Sequence, residues 1–105
     1  MRILFDQGVP LPLRKHLPTH TVTTVFERGW SVLENGALLA EAERDFDLFV
    51  TTDKNLRYQQ NLANRRIAIA VLPTPQWPVL ARQTDTIAAQ IGALPLGGFT
   101  ETVID

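Results

Sequence analysis

Short apolar or β-branched runs that alternate with helical segments constrain the fold of this chain more than any other feature. The runs cover residues 3–5, 21–26, 48–51 and 67–72. The third and fourth show no alternation of polar and apolar residues, which is typical of strands covered on both faces, as in a parallel sheet. The alternation of strand-like runs and helical segments predicts an α/β fold, a three-layer αβα sandwich with a small, mostly parallel sheet of four to five strands.

Helices are predicted between the runs, at residues 10–18, 35–46, 53–62 and 79–94. The second is the clearest, because Leu38, Ala42 and Phe46 recur every four residues behind an N-cap at Asn35. A final stretch at 102–104 is predicted to add an edge strand. Right-handed crossovers between these elements give a small doubly wound sheet. A strand order of 2-1-3-4 would place the first and third strands side by side at the reversal.

Composition limits the domain organisation and the classes of partner. A length of 105 residues with 45% hydrophobic content predicts one domain over 1–105. The chain has no cysteine and no apolar run long enough for a signal peptide or a membrane span, so we expect a cytoplasmic protein without a membrane partner. A net charge of −1 means that nucleic-acid binding needs a local basic patch or a bound cation.

Two aspartates follow strands that the predicted order places side by side. Asp6 ends the first run and Asp53 follows the third. Ligands of open parallel sheets collect at the carboxyl ends of strands, where the strand order reverses. Two carboxylates there would repel each other, and a hard cation such as Mg²⁺ relieves that repulsion. The alternative for each aspartate taken alone is a local role as a turn or a helix cap.

Three glutamates on or next to the second predicted helix are candidates for a third acidic metal ligand. Glu41 lies about 60° from the buried line through Leu38 and therefore flanks the core face. Glu43 points roughly away from the core, and Glu34 precedes the predicted cap. Glu41 is thus the candidate for a third metal ligand, and surface charge is the alternative for all three glutamates.

Three segments of the chain resemble a known family. They are ILFDQGVPLPLRKHL, ERGWSVLENGALLAEAERDFDLFVTTDKNLRYQQNL and RRIAIAVL. They resemble the small PIN-like family, whose members are compact relatives of the toxin ribonucleases of bacterial toxin–antitoxin pairs. The resemblance covers positions 1 to about 72 and is most specific at D-x-x-x-P and TTDKNLxYQQNL. It matches Asp6 and Asp53 to the metal-binding acids of the family.

The resemblance implies an endoribonuclease that uses Mg²⁺ or Mn²⁺ to hydrolyse RNA phosphodiesters, with RNA contacts at Lys54, Asn55 and Arg57. It also implies a toxin neutralised by a cognate antitoxin protein, and a homodimer is compatible with it. One departure is Ala37, which stands after Asn35-Gly36 where related sequences often have glutamate.

Two alternatives stay open. Ala37 favours a catalytically degenerate PIN-like domain that acts by binding RNA or a protein partner. A receiver-like or phosphatase-like phosphoryl site is the other alternative, because doubly wound folds host many functions.

Overall fold

The computed structural model describes residues 1–56, 65–95 and 97–101. Its five strands form one sheet with the order β2-β1-β3-β4-β5, in which every neighbouring pair is parallel. The strands are β1 Arg2–Phe5, β2 Thr21–Thr24, β3 Leu48–Thr51, β4 Ala68–Val71 and β5 Phe99–Glu101. The predicted parallel sheet is confirmed, including the reversal of strand order between β1 and β3.

Helices cover both faces of this sheet. They are a 3₁₀ helix at Leu11–His16 and the α-helices α1 Asn35–Asp45, α2 Trp77–Leu80 and α3 Thr84–Gly92. On one face α1 packs Leu38, Leu39 and Ala42 against the sheet. On the other face the 3₁₀ helix, α2 and α3 contribute Leu13, Leu80, Ile87 and Ile91. The predicted three-layer αβα sandwich is therefore confirmed.

Successive residues of the central strands enter opposite cores, as the pleat of a strand requires. Within β3, Leu48 and Val50 belong to one core and Phe49 belongs to the other, and all three are fully buried. This explains the continuous apolar runs, because a strand with a helical layer on each face has no side exposed to water.

Two predicted elements in the second half of the chain form differently in the structure. The single helix expected over 79–94 is two helices, separated where Gln83 leaves the helical conformation at φ −129° and ψ 24°. The expected edge strand at 102–104 lies outside the described residues, whereas β5 forms earlier, at Phe99–Glu101. Of the helix expected over 53–62, residues 57–62 lie outside the described ranges.

The early start of β5 follows a turn at Gly97, whose φ of +72° is costly for residues with a side chain. Next to it, the Gly98 carbonyl already accepts a hydrogen bond from the Ile69 N–H at 2.8 Å. The chain is therefore aligned with β4 before Phe99 begins the strand. In the described residues, no helix is both long enough and apolar enough to span a membrane.

Candidate functional site

The register of the sheet places Asp6 and Thr51 at the same carboxyl edge. Phe5 is the partner of Val50 in the pairing of β1 with β3, so the next residue of each chain is Asp6 or Thr51. The backbone N–H of Asp6 extends this ladder by donating to the Val50 carbonyl oxygen at 2.9 Å. Asp6 therefore stands at the reversal of strand order, as the sequence predicted.

The hydroxyl group of Thr51 connects the two aspartates. Thr51 is 1% exposed, and its Oγ1 donates to Asp6 Oδ2 at 2.8 Å. The same Oγ1 accepts a hydrogen bond from the backbone N–H of Asp53 at 3.1 Å. The other oxygen of Asp6, Oδ1, accepts the N–H of Gln7 at 2.9 Å. A single buried hydroxyl thus holds the Asp6 carboxylate and the Asp53 backbone together.

Steric contact shows that the loops after β1 and β3 meet closely. A Cβ atom built on Gly8 would lie 2.5 Å from Thr52 Oγ1, which is closer than real Cβ atoms approach other atoms. A residue with a Cβ atom fits at this position only if the Thr52 side chain moves. The two aspartates are therefore carried by loops in direct contact with each other.

Asp53 combines a local role with a tertiary one. Its Oδ1 accepts the backbone N–H of Asn55 at 3.0 Å, which is the Asx turn considered from the sequence. Its Oδ2 accepts the side-chain amide of Asn35 at 3.3 Å. The prediction that Asn35 is the N-cap of α1 is wrong, because Glu34 occupies that position and Asn35 is the first helical residue. The Asn35 amide reaches across to Asp53 instead.

Thr51 and Asn35 are the site residues that sequence reasoning missed. For Thr51 a signal existed, since a hydroxyl residue two positions before Asp53 lies at the end of a buried strand. For Asn35 the sequence suggested only a helix start.

The oxygens of Asp6 and Asp53 suit a hard divalent cation. Both residues are half-buried, and each carboxylate oxygen accepts one of the hydrogen bonds described above. An ionised carboxylate has about four acceptor positions, so positions remain for a ligand. Mg²⁺ is usually held by one or two carboxylates, with water and substrate oxygens completing its shell. The donor chemistry of the pair therefore fits such an ion.

Glu41 is not brought to this pair. Its carboxylate is 47% exposed and lies 3.8 Å from the guanidinium of Arg44. It also lies six residues beyond Asn35 on α1, about 9 Å along the helix axis and toward the opposite edge of the sheet. Within the described ranges no three His, Cys, Asp or Glu residues form a group that could hold a metal ion. The role of Glu41 as a third ligand stays a prediction without geometric support.

Of the predicted RNA contacts, Lys54 lies on the β4 side of Asp53. Lys54 is exposed and lines a cavity of about 130 Å³ together with Leu72 and Glu101. Asn55 is exposed and holds Asp53 through its backbone N–H. Arg57 lies outside the described residues.

A larger cavity opens on the other side of Asp6, toward β2. It has a volume of about 540 Å³ and is lined by Asp6, Gln7, Val9, Leu11, Arg14, Thr24, Phe26 and Glu27. Phe26 is 78% exposed, and sequence reasoning placed it only at the end of a strand. The candidate site thus extends along the carboxyl edge of the sheet, from the larger cavity near β2, past the two aspartates, to the smaller cavity near β4.

The two tryptophans pack at the edges of the cores. Trp30 contacts Phe46 edge-on with ring centroids 6.2 Å apart, and the Arg28 guanidinium lies 4.5 Å from the Trp30 centroid. Trp77 lies 5.7 Å from the ring of His16. Both tryptophans are only half-buried, and both pack against core residues.

The chain matches no family model, no curated protein and no solved structure. Assignment to the PIN-like family therefore rests on the sequence motifs alone.

Replacing Thr51 by Val is expected to destabilise the protein by about 1–3 kcal/mol, since the N–H of Asp53 loses its acceptor and the Asp6 carboxylate loses a donor. Urea denaturation monitored by tryptophan fluorescence measures this. Thr51→Ser is the matched control, because it keeps the hydroxyl, and it should lose clearly less stability. Equal losses in the two variants would assign the effect to packing of the methyl group instead.

Glu27 fixes the turn after β2, and its ionisation can be tested. The pKa of Glu27 is held below its ordinary value of 4.5, mainly by the backbone N–H of Thr24 and next by the side chain of Arg14. Because folding lowers this pKa, the stabilisation that the charged carboxylate provides is present above about pH 4.5 and is lost as the pH falls through the folded value.

We expect carbon-detected NMR titration to show a Glu27 pKa below 4.5 in the folded protein. Arg14→Gln should raise that pKa only part of the way, since the Thr24 N–H remains. Lys15→Gln, at the exposed neighbouring position, is the control and should leave it unchanged. A wild-type value at or above 4.5 would contradict the arrangement of this turn.

Proposed function

We propose that this protein is an endoribonuclease of the small PIN-like family, which hydrolyses RNA phosphodiester bonds with Mg²⁺ or Mn²⁺. The observation that supports this most strongly is the Thr51 hydroxyl, which joins Asp6 to the backbone of Asp53 at the reversal of strand order. Two carboxylates held at this place in a parallel sheet are well positioned for a ligand rather than for core stability.

Asp6 and Asp53 would hold the cation. When bound, a divalent ion supplies an activated water and charge stabilisation at the phosphate. The chain itself orients the two carboxylates, since Thr51 donates to Asp6 and the Asn35 amide donates to Asp53. These hydrogen bonds restrict the rotation of the carboxylates, and preorganised ligands gain affinity because less freedom is lost on binding.

Lys54 would offset part of the repulsion between the RNA backbone and a chain of net charge −1. It is exposed and follows Asp53 directly, so its ammonium group is available to a phosphate near the proposed metal. Asn55 and Arg57 are proposed to extend this contact. Lys54→Ala should therefore weaken RNA binding without affecting metal binding.

The same resemblance suggests a biological setting. We propose that the enzyme is the toxin of a toxin–antitoxin pair, that a cognate antitoxin protein neutralises it, and that it acts in the cytoplasm, where its RNA substrates are. A homodimer is compatible with this setting.

A second candidate function is a PIN-like domain that binds RNA or a protein partner without cleaving RNA. The observation that favours it is Ala37, which lies exposed in the first turn of α1 where related sequences often have glutamate. Asp6 and Asp53 would then bind a metal without supporting hydrolysis.

The test compares metal binding and cleavage separately. The purified protein is incubated with mixed single-stranded RNA in EDTA, Mg²⁺ or Mn²⁺, and Mn²⁺ binding is measured by calorimetry. The proposed nuclease cleaves only with metal and leaves 5′-phosphate ends. Metal and RNA binding without cleavage would support the second candidate, and absence of both metal binding and cleavage would overturn the metal-dependent nuclease.

A further inference from the structure

An exposed aromatic ring lies in the same cavity as Asp6. Phe26 is 78% exposed, although its neighbour Val25 is 2% exposed and donates its N–H to the Phe5 carbonyl at 2.9 Å. Thr24 and Glu27 flank this segment and exchange hydrogen bonds, from the Thr24 N–H to Glu27 Oε1 at 2.9 Å and from the Glu27 N–H to Thr24 Oγ1 at 3.0 Å. The backbone thus presents the Phe26 ring to solvent from a well-defined turn.

The ring shares a cavity with Asp6. The cavity of about 540 Å³ falls within the usual range for small-ligand sites, about 300–1,000 Å³. Val9 and Leu11 supply further apolar surface, and the exposed side chain of Gln7 supplies an amide. A planar apolar group with a polar edge would match such a lining.

The charges that line the cavity favour a neutral group over a phosphate. The Arg14 guanidinium faces Glu27 through both Nη atoms, at 2.6 and 3.4 Å, so its charge is already compensated. The remaining charged residue of the lining is Asp6, which repels anions. The Gln7 amide offers both a donor and an acceptor, which suits the edge of a nucleobase.

We propose that this cavity binds one unpaired nucleobase of single-stranded RNA, stacked on Phe26. That the base lies next to the bond to be cleaved rests on the proposed function of Asp6 and Asp53. Bases stack on aromatic side chains with little dependence on their identity, and duplex RNA cannot offer a base in this way. Because Lys54 lies beyond Asp53, the bound RNA strand would cross the carboxyl edge of the sheet from Phe26 to Lys54.

The test measures binding without metal, so that it does not depend on cleavage. Fluorescence anisotropy in EDTA at low salt follows labelled oligoadenylate RNA, its DNA counterpart and an RNA duplex. The variants are Phe26→Ala, Phe26→Tyr, which keeps the ring, and Val32→Ala. Val32 is 91% exposed and does not line the cavity, so its variant is the matched control for loss of an exposed apolar side chain on the same connection.

Phe26→Ala should weaken binding of single-stranded RNA by about 5- to 150-fold, the range for loss of one base–aromatic stack. Phe26→Tyr and Val32→Ala should keep wild-type affinity, and duplex binding should not change. If Phe26→Ala weakens binding of RNA but not of DNA, the site also contacts the ribose 2′-hydroxyl. If it weakens both equally, the site contacts the base alone. Both results support the inference.

Unchanged affinity in Phe26→Ala, equal losses in Phe26→Ala and Val32→Ala, or no RNA binding by the wild type would overturn it. The two proposals fail separately. Phe26-dependent binding without metal-dependent cleavage overturns the nuclease alone, whereas wild-type cleavage with an unchanged KM in Phe26→Ala overturns the base site alone.

Discussion

Replacing Asp6 by Asn lowers metal-dependent RNA cleavage by at least about 100-fold if the proposed site is correct. The amide keeps the size of the carboxylate but removes its charge, and with it most of its attraction for a divalent cation. A metal contributes several kcal/mol to the stabilisation of a hydrolytic transition state, and each 1.36 kcal/mol changes the rate tenfold. Asp53→Asn should have an effect of the same order.

Folding of the Asp6→Asn variant should be nearly unchanged. The amide oxygen can still accept the hydrogen bond of the buried Thr51 hydroxyl, and the Gln7 N–H, which is exposed, can donate to water instead. We therefore expect the free energy of unfolding to change by less than about 1 kcal/mol. Cleavage rates at saturating Mn²⁺ and urea denaturation in EDTA measure the two effects independently.

Asp47→Asn is the matched control. Asp47 also accepts a backbone N–H, from Arg2 at 2.8 Å, but it precedes β3 and so lies at the amino edge of the sheet. Its variant should cleave RNA as the wild type does. Full activity in Asp6→Asn, or equal losses in Asp6→Asn and Asp47→Asn, would contradict a metal site at the carboxyl edge.

Replacing Phe49 by Ala is expected to reduce the free energy of unfolding by about 3–5 kcal/mol. Phe49 is fully buried in the centre of β3, among core residues that include Leu4, Leu39 and Ile69. The substitution loses the transfer free energy of the ring and leaves a cavity that the surrounding layers cannot close. Since domains are stable by only about 5–15 kcal/mol, this is a large share of the total.

Phe26→Ala provides the comparison within the same chain, because it removes the same atoms at a position that is 78% exposed. Its effect on the free energy of unfolding should stay within about 0.5 kcal/mol. Urea denaturation followed by circular dichroism measures both variants. Similar losses at the two positions would mean that Phe26 is covered in solution, which would also contradict the proposed base site.

Much of the fold followed from local patterns. A strand that is buried on both faces needs continuous apolar residues, so β3 was predicted with its observed bounds, and β4 within one residue at each end. The four-residue spacing of Leu38, Ala42 and Phe46 likewise identified the buried side of α1. Handedness of the crossovers then gave a doubly wound sheet, but the strand order that brings Asp6 near Asp53 was an assumption that the structure bears out.

Other features lay beyond any local pattern. Leu80, Ile87 and Ile91 are all buried, which is compatible with one continuous helix over 79–94. The helix is nevertheless interrupted at Gln83, between α2 and α3. Periodicity reports which residues are buried, but it does not report whether the helix between them is continuous. The exposure of Phe26 also lay beyond the pattern, because the run 21–26 placed Phe26 at a strand end, whereas β2 ends at Thr24.

Amino-acid pattern alone was sufficient for the layers, the parallel sheet and the presence of acidic residues at two neighbouring strand ends. How those residues are held depended on tertiary contacts. The Thr51 hydroxyl meets Asp6 across 45 positions of sequence, and the Asn35 amide meets Asp53 across 18. Such bonds form only within a few tenths of an ångström, and that precision comes from strand register and helix placement, which no short segment specifies.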